Sequence, residues 1–129
     1  MNDESPKGEL SLRTVAMPAD TNPAGDIFGG WIMSLMDLAA GTASSARARG
    51  RTATVAVSHL AFLRPVKIGD VVSVYTDVTK VGRTSMTFRV EAWAAPRGTS
   101  GGHCVTSAEF VMVAVDAAGT PRPVPPAEP

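Results

Sequence analysis

From residue 52 onward, apolar and polar residues alternate with a period of two. Four runs rich in β-branched side chains stand out, at residues 52–62 (TATVAVSHLAF), 71–80 (VVSVYTDVTK), 84–93 (TSMTFRVEAW) and 103–115 (HCVTSAEFVMVAV). That period is the mark of half-buried strands. KIGD at 67–70, VGR at 81–83 and DAAGT at 116–120 are turn-sized, so neighbouring strands are expected to run antiparallel. Upstream the pattern differs. Residues 31–46 (WIMSLMDLAAGTASSA) contain no Lys, Arg or Glu and a single charge, Asp37. Such a segment reads as a helix with almost no face for water. RARGR follows it, where basic side chains complement the C-terminal dipole and Gly50 supplies the stop. A short strand at 10–17 and a loop dense in Pro, Asp, Asn and Gly (PADTNPAGDIFGG) precede the helix. The predicted order is strand, long buried helix, four antiparallel strands.

One helix covers only part of one face of such a sheet. A helix polar nowhere needs a second apolar surface, and with no other helix predicted that surface is a second copy of the chain. A homo-oligomer with this helix at or near the interface is therefore expected. Residues 1–9 read as a flexible lead and 10–120 as a single domain. The tail 121–129 (PRPVPPAEP) holds five of the ten prolines, and neither end is expected to supply core secondary structure.

Charge narrows the function classes. Twelve Lys and Arg against twelve Asp and Glu leave no net charge, so no global field draws the chain to nucleic acid or an anionic membrane. The lone Cys104 has no intramolecular disulfide partner, and with His59 and His103 it makes no zinc-ligand spacing. No metal site is expected, and a reducing cytoplasm fits. The start MNDESPKGEL is acidic where a signal peptide is basic and then apolar, and no run approaches the roughly 20 apolar residues of a membrane-spanning helix.

Asp37 is the first chemical candidate. A carboxylate among Leu35, Met36, Leu38, Ala39 and Ala40 costs several kcal/mol to bury unless something compensates it. Gly29 and Gly30, at the helix start, are the second. Without side chains they let a ligand oxygen approach backbone N–H groups that have no intrahelical acceptor. Gly29 and Asp37 are eight residues apart, about 12 Å along a helix, too far to serve one carbonyl and its attacking water. Two antiparallel helices across a two-fold axis resolve this, each site taking its helix start from one chain and its carboxylate from the other. Ser34, Ser44 and Ser45 lack a G-x-S-x-G elbow, and Cys104 reads as a small core residue. Met33 and Met36 read as core filler.

The runs LRTVAMPADTNPAGDIFGGWIMSLMD, TVAVSHLAFLRPVKIGDVV, KVGRTSMTFRVEAW and VTSAEFVMVAVDAAGTPRPVP together resemble the hotdog-fold acyl-CoA thioesterases of the YciA and brain acyl-CoA hydrolase type. The most specific element is N-x-x-G-D-x-F-G-G…M-D, matched by Asn22, Gly25, Asp26, Phe28, Gly29, Gly30, Met36 and Asp37. The resemblance implies an α+β hotdog fold, a five-stranded antiparallel sheet wrapped around one long buried helix, paired into dimers and then hexamers. It implies hydrolysis of acyl-CoA without a further cofactor. Asp37 would act as general base or nucleophile, Asn22 would approach from the other subunit, and Gly29-Gly30 would polarise the thioester carbonyl. For the CoA phosphates the chain offers Arg64 and the turn residues Arg83, Thr84 and Ser85. Relatives often carry an acidic residue and an Asn in the strand before F-x-x-P, where this chain has Ser58, His59 and Ala61. His59 is read as a structural residue.

Two other readings compete. A non-catalytic acyl-CoA-binding hotdog domain would tolerate any residue at position 37, so the intact Asn22, Gly29, Gly30 and Asp37 set argues against it. A hotdog dehydratase needs a His and an acid around the helix, and no His precedes residue 59.

Overall fold

The computed structural model describes residues 5–128. Five strands, β1 (Glu9–Val15), β2 (Thr52–Phe62), β3 (Val71–Val81), β4 (Ser85–Ala95) and β5 (His103–Ala114), form one antiparallel sheet in the order β1-β3-β4-β5-β2. The one α-helix among the described residues, α1 (Gly29–Ala48), packs against every one of these strands. Val72 and Val74 of β3, Met86, Phe88 and Val90 of β4, and Phe110 and Met112 of β5 make one core with Ile32, Met36, Ala39 and Ala40 of α1. Alternation of small and large side chains lets the helix sit close to the strands. Met36, fully buried, alone removes a side chain from water whose burial is worth about 1.5–3 kcal/mol.

The expected α+β architecture is present, with three differences of detail. First, β2 does not neighbour β3. Residues 63–70 are not a tight turn but a crossover that carries the chain across the sheet, so β2 pairs with β5 at one edge and β3 pairs with β1 and β4 near the other. Second, α1 begins at Gly29, so the glycine pair forms its first turn, and its left-handed cap is Arg49 at φ 52° rather than Gly50. The Gly50 N–H then closes onto the Ser45 carbonyl at 3.1 Å. Third, α1 does have an open face. Gly30, Ser34, Asp37, Leu38 and Thr42 are exposed in the single chain, Leu38 at 61%. Gly, Ser, Thr and Ala carry little polarity, so composition could not tell an open stripe of small residues from a buried one.

The proline-rich tail forms no helix or strand, yet it is pinned to the body. Arg122 Nη2 donates to the Ala48 carbonyl at the end of α1 (3.1 Å) and Nε donates to the Val115 carbonyl (3.0 Å), while the Val124 N–H donates to the Arg83 carbonyl (2.8 Å). Arg122 thus satisfies one of the orphan carbonyls at the helix end and sets a cation against its dipole. Arg47 Nη1 donates to the Pro125 carbonyl at 2.6 Å. On the side of the sheet away from α1, Glu91 is only 4% exposed. Its carboxylate accepts bonds from Arg89 Nε (2.8 Å), Trp93 Nε1 (2.9 Å) and the Lys7 N–H (3.4 Å), which offsets the cost of burying it.

Candidate active site

The loop before α1 is organised by Asn22. Its side-chain oxygen accepts the Ala24 and Asp26 N–H groups at 3.0 and 3.1 Å, the turn pattern that Asn favours, and Gly25 takes φ 90° between them. Two contacts with the crossover fix this loop in place: the Ile27 N–H donates to the Val66 carbonyl at 3.2 Å, and Lys67 Nζ bonds Asp26 Oδ1 at 2.7 Å. The direction in which α1 starts is set by these bonds.

The two glycines at that start have different reasons to be there. A Cβ on Gly29 would lie 3.1 Å from the Phe62 ring, a tight contact that the ring would have to yield a few tenths of an ångström to admit. A Cβ on Gly30 would meet nothing within 4 Å, because that position faces an open cavity. Phe28 caps the helix without a side-chain hydrogen bond, and the Gly29 and Gly30 N–H groups have no acceptor among the described residues. These free donors at a helix N-terminus attract a developing negative charge.

Asp37 lies two turns further along the same helix, on the open face. It lines two cavities. One of about 380 Å³ runs back to Gly30 past Met33 and Ser34, with Val57 and Phe110 on its sheet side. The other, about 530 Å³, continues toward Ser45 past Leu38, Gly41 and Thr42. Both also include Thr54 of β2, whose hydroxyl donates to Asp37 Oδ1 at 2.6 Å. In the single chain Asp37 is exposed, so the burial penalty expected from its neighbours in sequence does not arise. Leu35, Met36, Ala39 and Ala40 turn toward the sheet.

The structure brings Gly30 and Asp37 onto one groove. Asn22, Arg83, Thr84 and Ser85 line neither Asp37 cavity. Arg64 lines a separate cavity of about 340 Å³ beside Gly29, Ile32 and Phe62, and its Nη1 donates to the Cys104 carbonyl at 2.7 Å. Arg83 and Thr84 lie in the β3–β4 turn and Ser85 opens β4, with the Gly82 N–H bonded to the Ser85 carbonyl at 2.7 Å. His59 sits in a bulge of β2 with a left-handed backbone (φ 54°), its Nδ1 3.6 Å from Glu109 Oε1 and away from both Asp37 cavities. Cys104 is buried, as read from the sequence. Thr54 was missed. A threonine in a strand is unremarked by composition, and nothing in the sequence pairs it with a residue seventeen positions earlier.

Among the described residues, no group of three or more His, Cys, Asp or Glu side chains is placed to hold a metal ion, and no helix is long and apolar enough to cross a membrane.

The model of the thioesterase superfamily matches residues 24–100. That stretch holds the α1 start, Asp37, Thr54 and the crossover. The chain belongs to the thioesterase superfamily. Over 126 residues it is 48% identical to the acyl-CoA thioester hydrolase YciA of Salmonella typhimurium, covering 95% of each chain. Among solved structures it is similar to the hexameric thioesterase of Yersinia pestis, with 48% identity and a TM-score of 0.88 over 94% of this chain and 98% of that one. It is also similar to the hexameric hotdog fold thioesterase of Campylobacter jejuni, with 43% identity and a TM-score of 0.84 over 92% of this chain and 91% of that one. The five-stranded sheet packed on one long helix is thus a hotdog fold, as the family resemblance implied.

Proposed function

We propose that this thioesterase-superfamily protein hydrolyses acyl-CoA thioesters to a carboxylic acid and CoA, with Asp37 as the reacting carboxylate. The observation that carries the reading is the position of Asp37 on the open helix face, where two cavities meet and one leads to the unpaired N–H groups at the start of α1. In the general-base route, water adds to the thioester carbonyl carbon while its proton passes to Asp37. The carbonyl oxygen becomes an oxyanion that accepts bonds from the Gly29 and Gly30 N–H groups of the second chain of the dimer. Collapse of the adduct breaks the C–S bond, and the CoA thiolate leaves and takes up a proton. In the nucleophile route, an Asp37 oxygen itself attacks the thioester carbon, the C–S bond breaks with release of the CoA thiolate, and water hydrolyses the resulting mixed anhydride. No metal or further cofactor enters either route.

The active unit is a homodimer with its sites at the interface, assembled into a hexamer like the hexameric thioesterases of Yersinia pestis and Campylobacter jejuni. Two features of the single chain support a partner. β2 is an edge strand whose Val55 and Val57 are 58% and 40% exposed, and the stripe of small residues on α1 lies beside it. An open, apolar edge of this kind is a template for pairing. A two-fold axis there would set the glycine pair of one chain against Asp37 of the other and bring Asn22 across the interface. Arg64, beside the Gly29 cavity, and Arg83, Thr84 and Ser85 would meet the CoA phosphates. A cytoplasmic location fits the single thiol.

Thiol release from a series of acyl-CoAs of increasing chain length, with wild type and Asp37→Ala side by side, tests the reading. Hydrolysis that Asp37→Ala abolishes is the expected result. CoA-ester binding with no release from any substrate would instead make the protein a binding module.

A further inference from the structure

On the face of the sheet away from α1 lies a cavity of about 350 Å³ that thioester hydrolysis at Asp37 does not use. Its floor follows from the strand register. Arg13 of β1 stands opposite Ser73 of β3, and Ser73 stands opposite Trp93 of β4, so the three make one row across the sheet. Tyr75, two residues along β3, shares their face. The loop after β4 carries GTSGG at 98–102 and supplies Thr99, Ser100 and Gly101 to the rim. A turn in which the Thr99 N–H and hydroxyl both donate to the Pro96 carbonyl, at 3.2 and 2.6 Å, fixes where that loop begins.

The polar groups of this floor are held in place with hydrogen-bonding capacity to spare. Arg13 Nε donates to Ser73 Oγ at 2.7 Å, which steadies the guanidinium, while Nη1 and Nη2 have no acceptor among the described residues. Ser73 is only 7% exposed, and its own hydroxyl proton has no acceptor among those residues. The Tyr75 hydroxyl makes no hydrogen bond with them. Charge points the same way. No carboxylate lines the cavity, and Glu91, in register with Tyr75, has one oxygen taken by Arg89 and the other by Trp93 and the Lys7 N–H. Arg47, Arg51 and Arg122 end on main-chain carbonyls. Arg13 instead offers two free Nη groups beside a buried hydroxyl donor and two aromatic rings, in a volume at the small end of ligand sites.

We propose that this cavity binds a small organic anion, a carboxylate or phosphate monoester carried on a flat ring. Arg13 meets the oxyanion through its Nη groups, a fork that matches both anions, and Ser73 and Tyr75 donate to it. The ring rests on the apolar surface of Tyr75, Trp93 and Val71. Because the sheet separates this cavity from α1, its occupant does not compete with the thioester at Asp37.

Calorimetric titration of the assembled protein with benzoate, phenyl phosphate and inorganic phosphate tests this. A ring-bearing anion should bind with a Kd of about 1 mM or below, and inorganic phosphate about tenfold more weakly or worse. Binding of either ring-bearing anion supports the site, and the tighter one names the anion class. Arg13→Gln should weaken that binding about tenfold or more, and Tyr75→Phe, which removes only a hydroxyl, about threefold. The indole N–H resonance of Trp93, assigned by comparison with Trp31→Phe, should shift on saturation, while KM for acyl-CoA stays unchanged. The proposal is overturned by any of five results: no saturable binding of either ring-bearing anion, undiminished affinity in both variants, or an unmoved Trp93 resonance; equal affinity for inorganic phosphate, which would be an adventitious ion only; or a KM for acyl-CoA that rises with the anion, which would place it in the Asp37 groove.

Discussion

Met36 and Asp37 are adjacent in sequence and opposite in situation. Met36 is fully buried against the sheet, in the layer that Ile32, Ala39 and Ala40 extend along α1, whereas Asp37 stands on the open face beside β2 with a single hydrogen-bond partner among the described residues. The same division runs through the sheet. β4 is buried along most of its length, while β2 is exposed along most of its own. One half of the molecule is closed by packing and the other is left free for contacts the single chain does not supply. Stability and chemistry should therefore respond to different substitutions, even at neighbouring positions.

The largest separation is expected at this pair. Asp37→Ala should lower kcat/KM by about a thousandfold or more, the scale of losing a reacting group, while thermal unfolding stays close to wild type because the side chain packs against little. Unfolding or dissociation of the assembly in that variant would make Asp37 structural and erase the contrast. Met36→Ala should do the reverse. Its cavity should cost about 2–5 kcal/mol in denaturant unfolding, with the activity per folded molecule retained.

Asn22 lies between the two regimes, since its side-chain oxygen already holds the loop before α1. Asn22→Ala should lower kcat severely with a modest change in KM, and an unchanged kcat would remove Asn22 from the mechanism. If sites are shared between subunits, mixing Asn22→Ala and Asp37→Ala chains should restore up to about a quarter of wild-type activity, since half of randomly formed dimers are mixed and each has one intact site. No recovery in confirmed mixed dimers would confine each site to one chain.

Smaller effects belong to the closed half. Arg122→Ala removes the bond to the Ala48 carbonyl and should cost about 1 kcal/mol in unfolding experiments. Among the described residues, Thr106 Oγ1 is buried with no hydrogen-bond partner. Replacement by the similarly shaped Val should stabilise the fold by up to about 1 kcal/mol, measurable as a raised melting temperature. A loss of stability there would mean the hydroxyl is satisfied in the assembled protein.

Much of this was legible in the chain. The strand runs at 52–62 and 103–115 fall within a residue of β2 and β5, because a two-residue alternation is imposed locally by the pleat of each strand. The helix was legible from the uninterrupted run of small and apolar residues, and Asp37 from being the one charge within it. Its family pattern, from Asn22 to Asp37, is also local, since loop, helix start and carboxylate all lie within sixteen residues. What the sequence left open is non-local. Strand order could not be read, because a crossover at 63–70 and a tight turn at 67–70 share the same turn residues. The open face of α1 was hidden because its small side chains mark neither water nor core. Thr54 could be joined to Asp37 only once β2 lay against the helix, since that bond depends on packing between elements and not on any spacing along the chain.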